Sequence, residues 1–336
     1  MNNLTCDISY DSFCAVLKEY FCGLQAKAVN MGTPEMTTGF PSVDNLMGGF
    51  EKGKVYVIGG RPCMGKEEFL LSMIIDIVME SKLSALLFAT NHLKSDYIQR
   101  LLSISCDIPT SHLHRGILLS HEWEKLDKEI SALVDVPLYI HDSMELSITE
   151  LNETVRYCLR EQDVKIVFID CLQMIEFSEK DMTPSEKIAK VMFSLKELAK
   201  LLDIPVVVGS VLSREIDHRE GIEGKQPQLA DLANSSYIEE LADVIMMVHR
   251  PEYYHILQDD NGRDLHGRIE IIMRKNALKT LGSVYLDYHQ ETGVVCERKN
   301  ANNSASKLIS LNEFEPHNET VKKLIKAFGL EEDVPF

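Results

Sequence analysis

Gly60-Arg61-Pro62-Cys63-Met64-Gly65-Lys66 fits the pattern G-x-x-x-x-G-K, and its surroundings decide the fold. The run KVYVIG (54–59) before it has the look of a buried strand, and the residues after it have a helical apolar pattern. Between a strand and a helix, such a loop can turn its backbone N–H groups and the helix N-terminus toward phosphates, with Lys66 reaching the β- and γ-phosphates. The bland alternative is a glycine turn with a surface lysine.

Working outward, further short apolar runs fall at 84–90, 137–141, 164–169, 204–210 and 243–249, with amphipathic helices between them. Runs that are apolar throughout belong to strands covered on both faces, so the spacing predicts an α/β fold with a mainly parallel sheet. Ser147 with Glu150, Thr183 with Glu186 behind Pro184, and Ser236 with Glu239 are expected helix starts of the capping-box type. Beyond Arg250 the pattern alternates, and 268–274 and 282–289 read as paired strands. Residues 9–28 place Phe13, Val16, Leu17, Tyr20, Phe21 and Leu24 on one helical stripe, 29–38 and 298–306 read as linkers, and 318–328 as a short helix.

The 336 residues are 45% hydrophobic and 26% charged, ordinary globular usage that excludes a disordered or low-complexity chain. A formal net charge of −17 disfavours nucleic acid and anionic membranes as partners of the whole surface. There is no apolar stretch of membrane-spanning length and no basic signal region before Lys18, so the expected place is the cytoplasm, away from membranes. The eight cysteines show no metal-ligand spacing and are expected to be buried thiols. His218 and His249 read as surface or satisfied residues.

The wider segment TTGFPSVDNLMGGFEKGKVYVIGGRPCMGK (37–66) resembles the start of the RecA-like ATPase domain of DnaB-type replicative helicases. IVFIDCLQMI (166–175) resembles that family's second nucleotide motif, 213–243 its DNA-facing loops and 267–284 its last strand pair. The resemblance implies a RecA-like phosphate-loop NTPase fold with helices on both faces of the sheet. It also implies ATP or ADP with Mg²⁺ at residues Gly60 to Glu67, Asp170 holding the metal through water, and Lys275 near the nucleotide. The implied division is a linker-type helix in 1–36, the ATPase domain in 37–297, and a polar linker, short helix and acidic tail in 298–336. Helix 9–28 stands where the family's linker helix packs on a neighbouring subunit, which implies a homo-oligomer. The family's N-terminal collar has no counterpart in the 36 residues before the domain.

Several positions depart from the family. Where Thr or Ser follows the lysine, this chain has Glu67, then Glu68. A unit negative charge 4 Å from a phosphate charge costs about 4 kcal/mol at an effective dielectric of 20, so weakened nucleotide affinity is expected. The blander reading is that both glutamates favour the helix N-terminus. The family's water-activating glutamate aligns with Asn91, its sensing glutamine with Val211, and its arginine finger with Ala277. His92 is a substitute base only if it leaves the strand end in the direction of Asn91, whereas successive strand residues diverge. Together these changes point to impaired hydrolysis in a structural or regulatory replication partner; the alternative is an active ATP-dependent DNA helicase or translocase with compensating residues. In 213–227, Arg214, Arg219 and Lys225 stand among Glu215, Asp217, Glu220 and Glu223, which predicts weak or no single-stranded DNA binding. The tail Leu330 to Phe336 resembles the acidic Pro-Phe tip of bacterial single-stranded-DNA-binding proteins and implies docking on replication proteins; its alternative is a solvated acidic end.

Overall fold

Short runs of Val, Ile, Leu and Phe form the centre of the structure because both of their faces are covered. The structure is a computed structural model, and it describes residues 12–29, 34–143, 145–177, 182–232, 236–277 and 280–297. The chain divides into a unit Met1–Arg298 and a unit Lys299–Phe336. The second unit, with the predicted 298–306 linker, the 318–328 helix and the acidic tail, lies outside the described residues.

In chain order the helices are α1 (Phe13–Val29), α2 (Pro41–Met47), α3 (Lys66–Ile75), α4 (Lys94–Cys106), α5 (Thr110–Arg115), α6 (Ser120–Leu133), α7 (Ile148–Gln162), α8 (Pro184–Leu202), α9 (Ile222–Lys225) and α10 (Ser236–Leu241). The strands are β1 (Val55–Gly60), β2 (Ala85–Ala89), β3 (Leu138–Asp142), β4 (Leu146–Ser147), β5 (Ile166–Asp170), β6 (Ile175–Glu176), β7 (Val206–Val211), β8 (Val244–His249), β9 (Arg268–Lys275), β10 (Gly282–His289) and β11 (Val294–Cys296). The main sheet runs β11-β10-β9-β8-β1-β7-β5-β2-β3. From β8 to β3 the neighbours are parallel, while β9, β10 and β11 are added antiparallel.

The period of two along each strand divides the core. Tyr56 and Ile58 of β1 and Ile166 and Phe168 of β5 pack with Phe69, Leu70, Ile74 and Leu101 from α3 and α4. Val55 and Val57, with Val167 and Ile169, pack on the other face with Leu151 and Val155 of α7 and Met192 and Leu195 of α8. β1 lies between β8 and β7, so the loop after it leaves the middle of the sheet at the carboxyl ends of the parallel strands, where open α/β sheets place their ligands.

The expected strands are all present, shifted by a residue or two at their ends. The short β4–β6 pair and β11 carry too few residues for a pattern and escaped the sequence reading. Thr183 and Glu186 form a full capping box with Pro184 in the first turn. Ser147 caps α7, but Glu150 turns to His141 Nε2 at 3.1 Å instead of closing the box. Ser236 is already inside α10. Residues 34–38, read as linker, contribute to the core: Met36 and Thr38 are buried, and Thr38 N donates to Asp44 Oδ1. Cys106, Cys158 and Cys171 are buried as expected, whereas Cys22 and Cys63 are exposed because α1 and the loop tip hold them at the surface. His249 is buried and stacks on Tyr254 with ring centroids 5.8 Å apart.

Phe168 is fully buried at mid-sheet, so Phe168→Ala should lower unfolding stability by about 3–5 kcal/mol through the cavity it leaves. Leu201 on α8 is 63% exposed, and Leu201→Ala should change it by less than about 0.5 kcal/mol. Urea denaturation of both variants checks the contrast.

Candidate functional site

At the end of β1 the chain turns through Gly60 to Gly65 and enters α3 at Lys66. Gly65 has φ +85°, and a Cβ there would lie 2.7 Å from Ile269 Cδ1, so the turn into the helix requires glycine for both conformation and space. Lys66 Nζ donates to Asp170 Oδ1 at 3.0 Å, with side chains 9% and 1% exposed. Burial works to lower the lysine pKa, but the Asp170 carboxylate beside it leaves it raised, so Lys66 stays charged. The pair fits because β7 has Gly209 beneath it: a Cβ there would sit 3.0 Å from Lys66 Nζ and 3.3 Å from Asp170 Oδ1. Thr90 Oγ1 donates to the Asp170 carbonyl at 2.6 Å, and the Tyr97 hydroxyl donates to Asp170 Oδ2 at 2.5 Å. Burial, and the Asp170 charge next to it, push the Tyr97 hydroxyl well above the usual tyrosine range and keep it a donor.

Glu67, one residue into α3, faces a second cluster. Arg100 Nη1 forms an ion pair with Glu67 Oε2, Asn91 Nδ2 donates to Glu67 Oε1 at 3.2 Å, and His92 Nε2 lies 3.3 Å from Oε2. Burial tends to lower the Arg100 pKa, but Glu67 and Glu68 outweigh it and leave it raised. Burial raises the pKa of Glu68. The expectation that Asn91 and His92 diverge fails. Both lie past the end of β2 in a bend, where strand alternation no longer applies, and both reach Glu67.

The structure therefore brings Lys66, Glu67, Asn91 and Asp170 together. It also adds Tyr97 and Arg100, which the sequence reading missed. Their signal was a spacing of three on α4, which puts both on one helix face. Elsewhere in the loop, Pro62 and Cys63 are exposed and Met64 is buried. Arg61 donates to the Leu212 carbonyl at 3.2 Å and to Asp217 Oδ2 at 2.7 Å. Arg250, also missed, is nearly buried, donates to the Cys63 carbonyl at 3.4 Å and packs over the rings of Tyr253 and Tyr288. It thereby holds the outer part of the loop.

Val211 ends β7, and its N–H donates to Gln173 Oε1 at 3.1 Å. Lys275 and Ala277 lie elsewhere, lining a shallow pocket with Lys196, Lys200 and Asp243. Lys275 Nζ donates to the carbonyls of Glu239 and Glu240 at the end of α10. Arg274 points away from Lys275, its Nε on the Pro227 carbonyl at 2.8 Å.

Glycine-rich backbone, a helix N-terminus and a charged lysine suit a polyphosphate. A divalent cation suits the arrangement poorly. Both Asp170 oxygens accept from Lys66 or Tyr97, and Glu67 is held by Arg100 and Asn91.

The family model described as the DnaB-like helicase C terminal domain matches residues 35–295. A probable replicative DNA helicase of Trieres chinensis is 32% identical over 83% of this chain and 60% of its own. The replicative DNA helicase DnaB of Rickettsia conorii is 30% identical over 76% and 56%. The chain thus spans little more than half the length of these relatives. In fold it is similar to a solved ATPase domain, with TM-score 0.76, 24% identity and coverage of 84% of this chain and 99% of that one. It is also similar to a DnaB-like replicative helicase whose structure describes its interactions with primase, with TM-score 0.74, 24% identity and coverage of 88% and 68%.

Gly65→Ala forces both a left-handed backbone on alanine and a clash with Ile269, so it should cost about 1–3 kcal/mol of stability. Gly116 has the same sign of φ with nothing within 4 Å of a built Cβ, which makes Gly116→Ala the control for backbone strain alone. Thermal unfolding of the pair separates the two contributions, with the larger loss at Gly65.

Proposed function

The chain belongs to the DnaB-like helicase C-terminal-domain family, and from that premise we propose that it is a nucleotide-binding RecA-like protein. In this reading its ATP hydrolysis is impaired, and it serves as a structural or regulatory partner in DNA replication. The observation that carries the reading is Asn91: just past the end of β2, an amide donates to Glu67, the residue after Lys66. An amide cannot take a proton from water, and the positioned base is worth about 10²–10⁴ in rate. Ala277 provides no cation for a developing phosphate charge, and Val211 no polar side chain to sense one.

Weak single-stranded DNA binding fits the loop chemistry. Arg219 is paired with Asp231 at 2.6 Å, and Lys225 donates to the Asp217 carbonyl at 2.9 Å, so these cations are engaged within the chain. Docking of Leu330 to Phe336 on replication proteins is part of the same reading and rests on the sequence alone.

The proposed homo-oligomer rests on α1. Phe13, Val16, Tyr20 and Leu24 are exposed on it, an apolar stripe of the kind that covers itself against a second copy. Light scattering should give a multiple of the 38.1 kDa chain mass, and a Phe13→Glu, Tyr20→Glu variant should give a smaller species. A monomer mass for both would remove the oligomer from the proposal.

With Mg²⁺ and ATP, with or without single-stranded DNA, turnover should fall at least about 100-fold below the ordinary enzyme scale of 1 per second and above. Turnover of about 1 per second that disappears in Lys66→Ala would instead establish the active helicase or translocase.

A further inference from the structure

The two carboxylates best placed to meet a divalent cation at the phosphate loop are already engaged by the chain. Asp170 offers Oδ1 to Lys66 and Oδ2 to Tyr97, whose side chain is itself fully buried. Glu67 offers Oε2 to Arg100 and Oε1 to Asn91, with the His92 ring closing the same side. Magnesium requires oxygen ligands at about 2.0–2.1 Å in near-octahedral array and usually keeps several of its waters. Here two fixed cations, Lys66 and Arg100, stand on the oxygens it would use.

The same contacts answer the objection that Glu67 repels a nucleotide. Arg100 matches its charge, and Arg100 and Asn91 on α4 and the β2 end hold the carboxylate toward themselves. The N-terminus of α3 meets the anion, and Lys66, whose ammonium has three N–H donors, can reach it while keeping its contact with Asp170.

We propose that this site takes the polyphosphate of a nucleotide without a divalent cation, with the Glu67–Arg100 pair and the Tyr97–Asp170 hydrogen bond occupying the place of the metal. The inference rests on the nucleotide-binding reading and adds the charge state of the ligand: a free di- or triphosphate, not its magnesium complex.

The test is titration of the full chain with a fluorescent ADP analogue, once in excess Mg²⁺ and once in excess EDTA. The dissociation constants should agree within about twofold, a difference of less than half a kcal/mol. Binding that weakens about tenfold or more in EDTA overturns the inference and leaves the nucleotide-binding reading standing, whereas no binding in either medium overturns both. Glu67→Thr with Tyr97→Phe supplies a hydroxyl after Lys66 and frees Asp170 Oδ2. This variant should bind the analogue about tenfold more tightly with Mg²⁺ than with EDTA. If it stays as insensitive as the parent, these two side chains are not what excludes the cation. Should the buried Tyr97 change disturb folding, judged by circular dichroism, Glu67→Thr alone, which removes the Glu67–Arg100 half of the block, should bind the analogue about threefold more tightly with Mg²⁺ than with EDTA, and equal binding in the two media would count against the proposal.

Discussion

A lysine and an aspartate taken almost entirely out of water hold the centre of this molecule together. Lys66 begins the helix after β1, and Asp170 ends β5, a strand two places away in the sheet. Neither charge could be buried alone, since an unpaired ion in such a place costs several kcal/mol. Their contact at 3.0 Å therefore fixes the phosphate loop, the ends of β1 and β5, and the gap at Gly209 relative to one another. Thr90 and Tyr97 then close around Asp170 from β2's end and from α4. Together they draw the ends of β2 and β5, the start of α3 and the first turn of α4 onto one carboxylate.

Around that pair, Asp170 and Glu67 each have a cation of their own. Arg100 answers Glu67 and Lys66 answers Asp170, with Asn91, His92 and Tyr97 filling the remaining positions. Phosphoryl transfer to water draws on the opposite condition: a cation free to move onto the phosphates, a base able to accept a proton, and positive charge reserved for the transition state. In the proposed reading, the replacement of a hydroxyl by Glu67 and of a carboxylate by Asn91 is one coordinated change. The new acid has acquired its partners, and the amide has become one of them.

Much of this architecture was legible in the sequence, for identifiable reasons. The apolar runs at β1, β5, β7 and β8 announce strands covered on both faces, and the glycine loop between β1 and α3 announces the tight strand-to-helix turn. Thr183, Pro184 and Glu186 marked a helix start that depends only on neighbouring residues. What escaped were contacts between residues distant in sequence. Arg100 stands 33 residues from Glu67 and Tyr97 stands 73 from Asp170, and no local pattern joins them. The reading of Asn91 and His92 as divergent failed because it carried strand geometry past the strand's end. Residues 34–38 lacked periodicity and so resembled linker, yet Thr38 and Met36 are held by Asp44 and Phe50.

The central claim is that Glu67 belongs to Arg100 and leaves no place for a metal at the phosphates. A crystal structure of the full chain grown with ADP and Mn²⁺, with data collected at the manganese absorption edge, addresses it directly. The account predicts the Glu67 carboxylate on Arg100, the Tyr97 hydroxyl on Asp170, and no anomalous peak beside the β-phosphate. A manganese peak there with Glu67 or Asp170 among its ligands would contradict it.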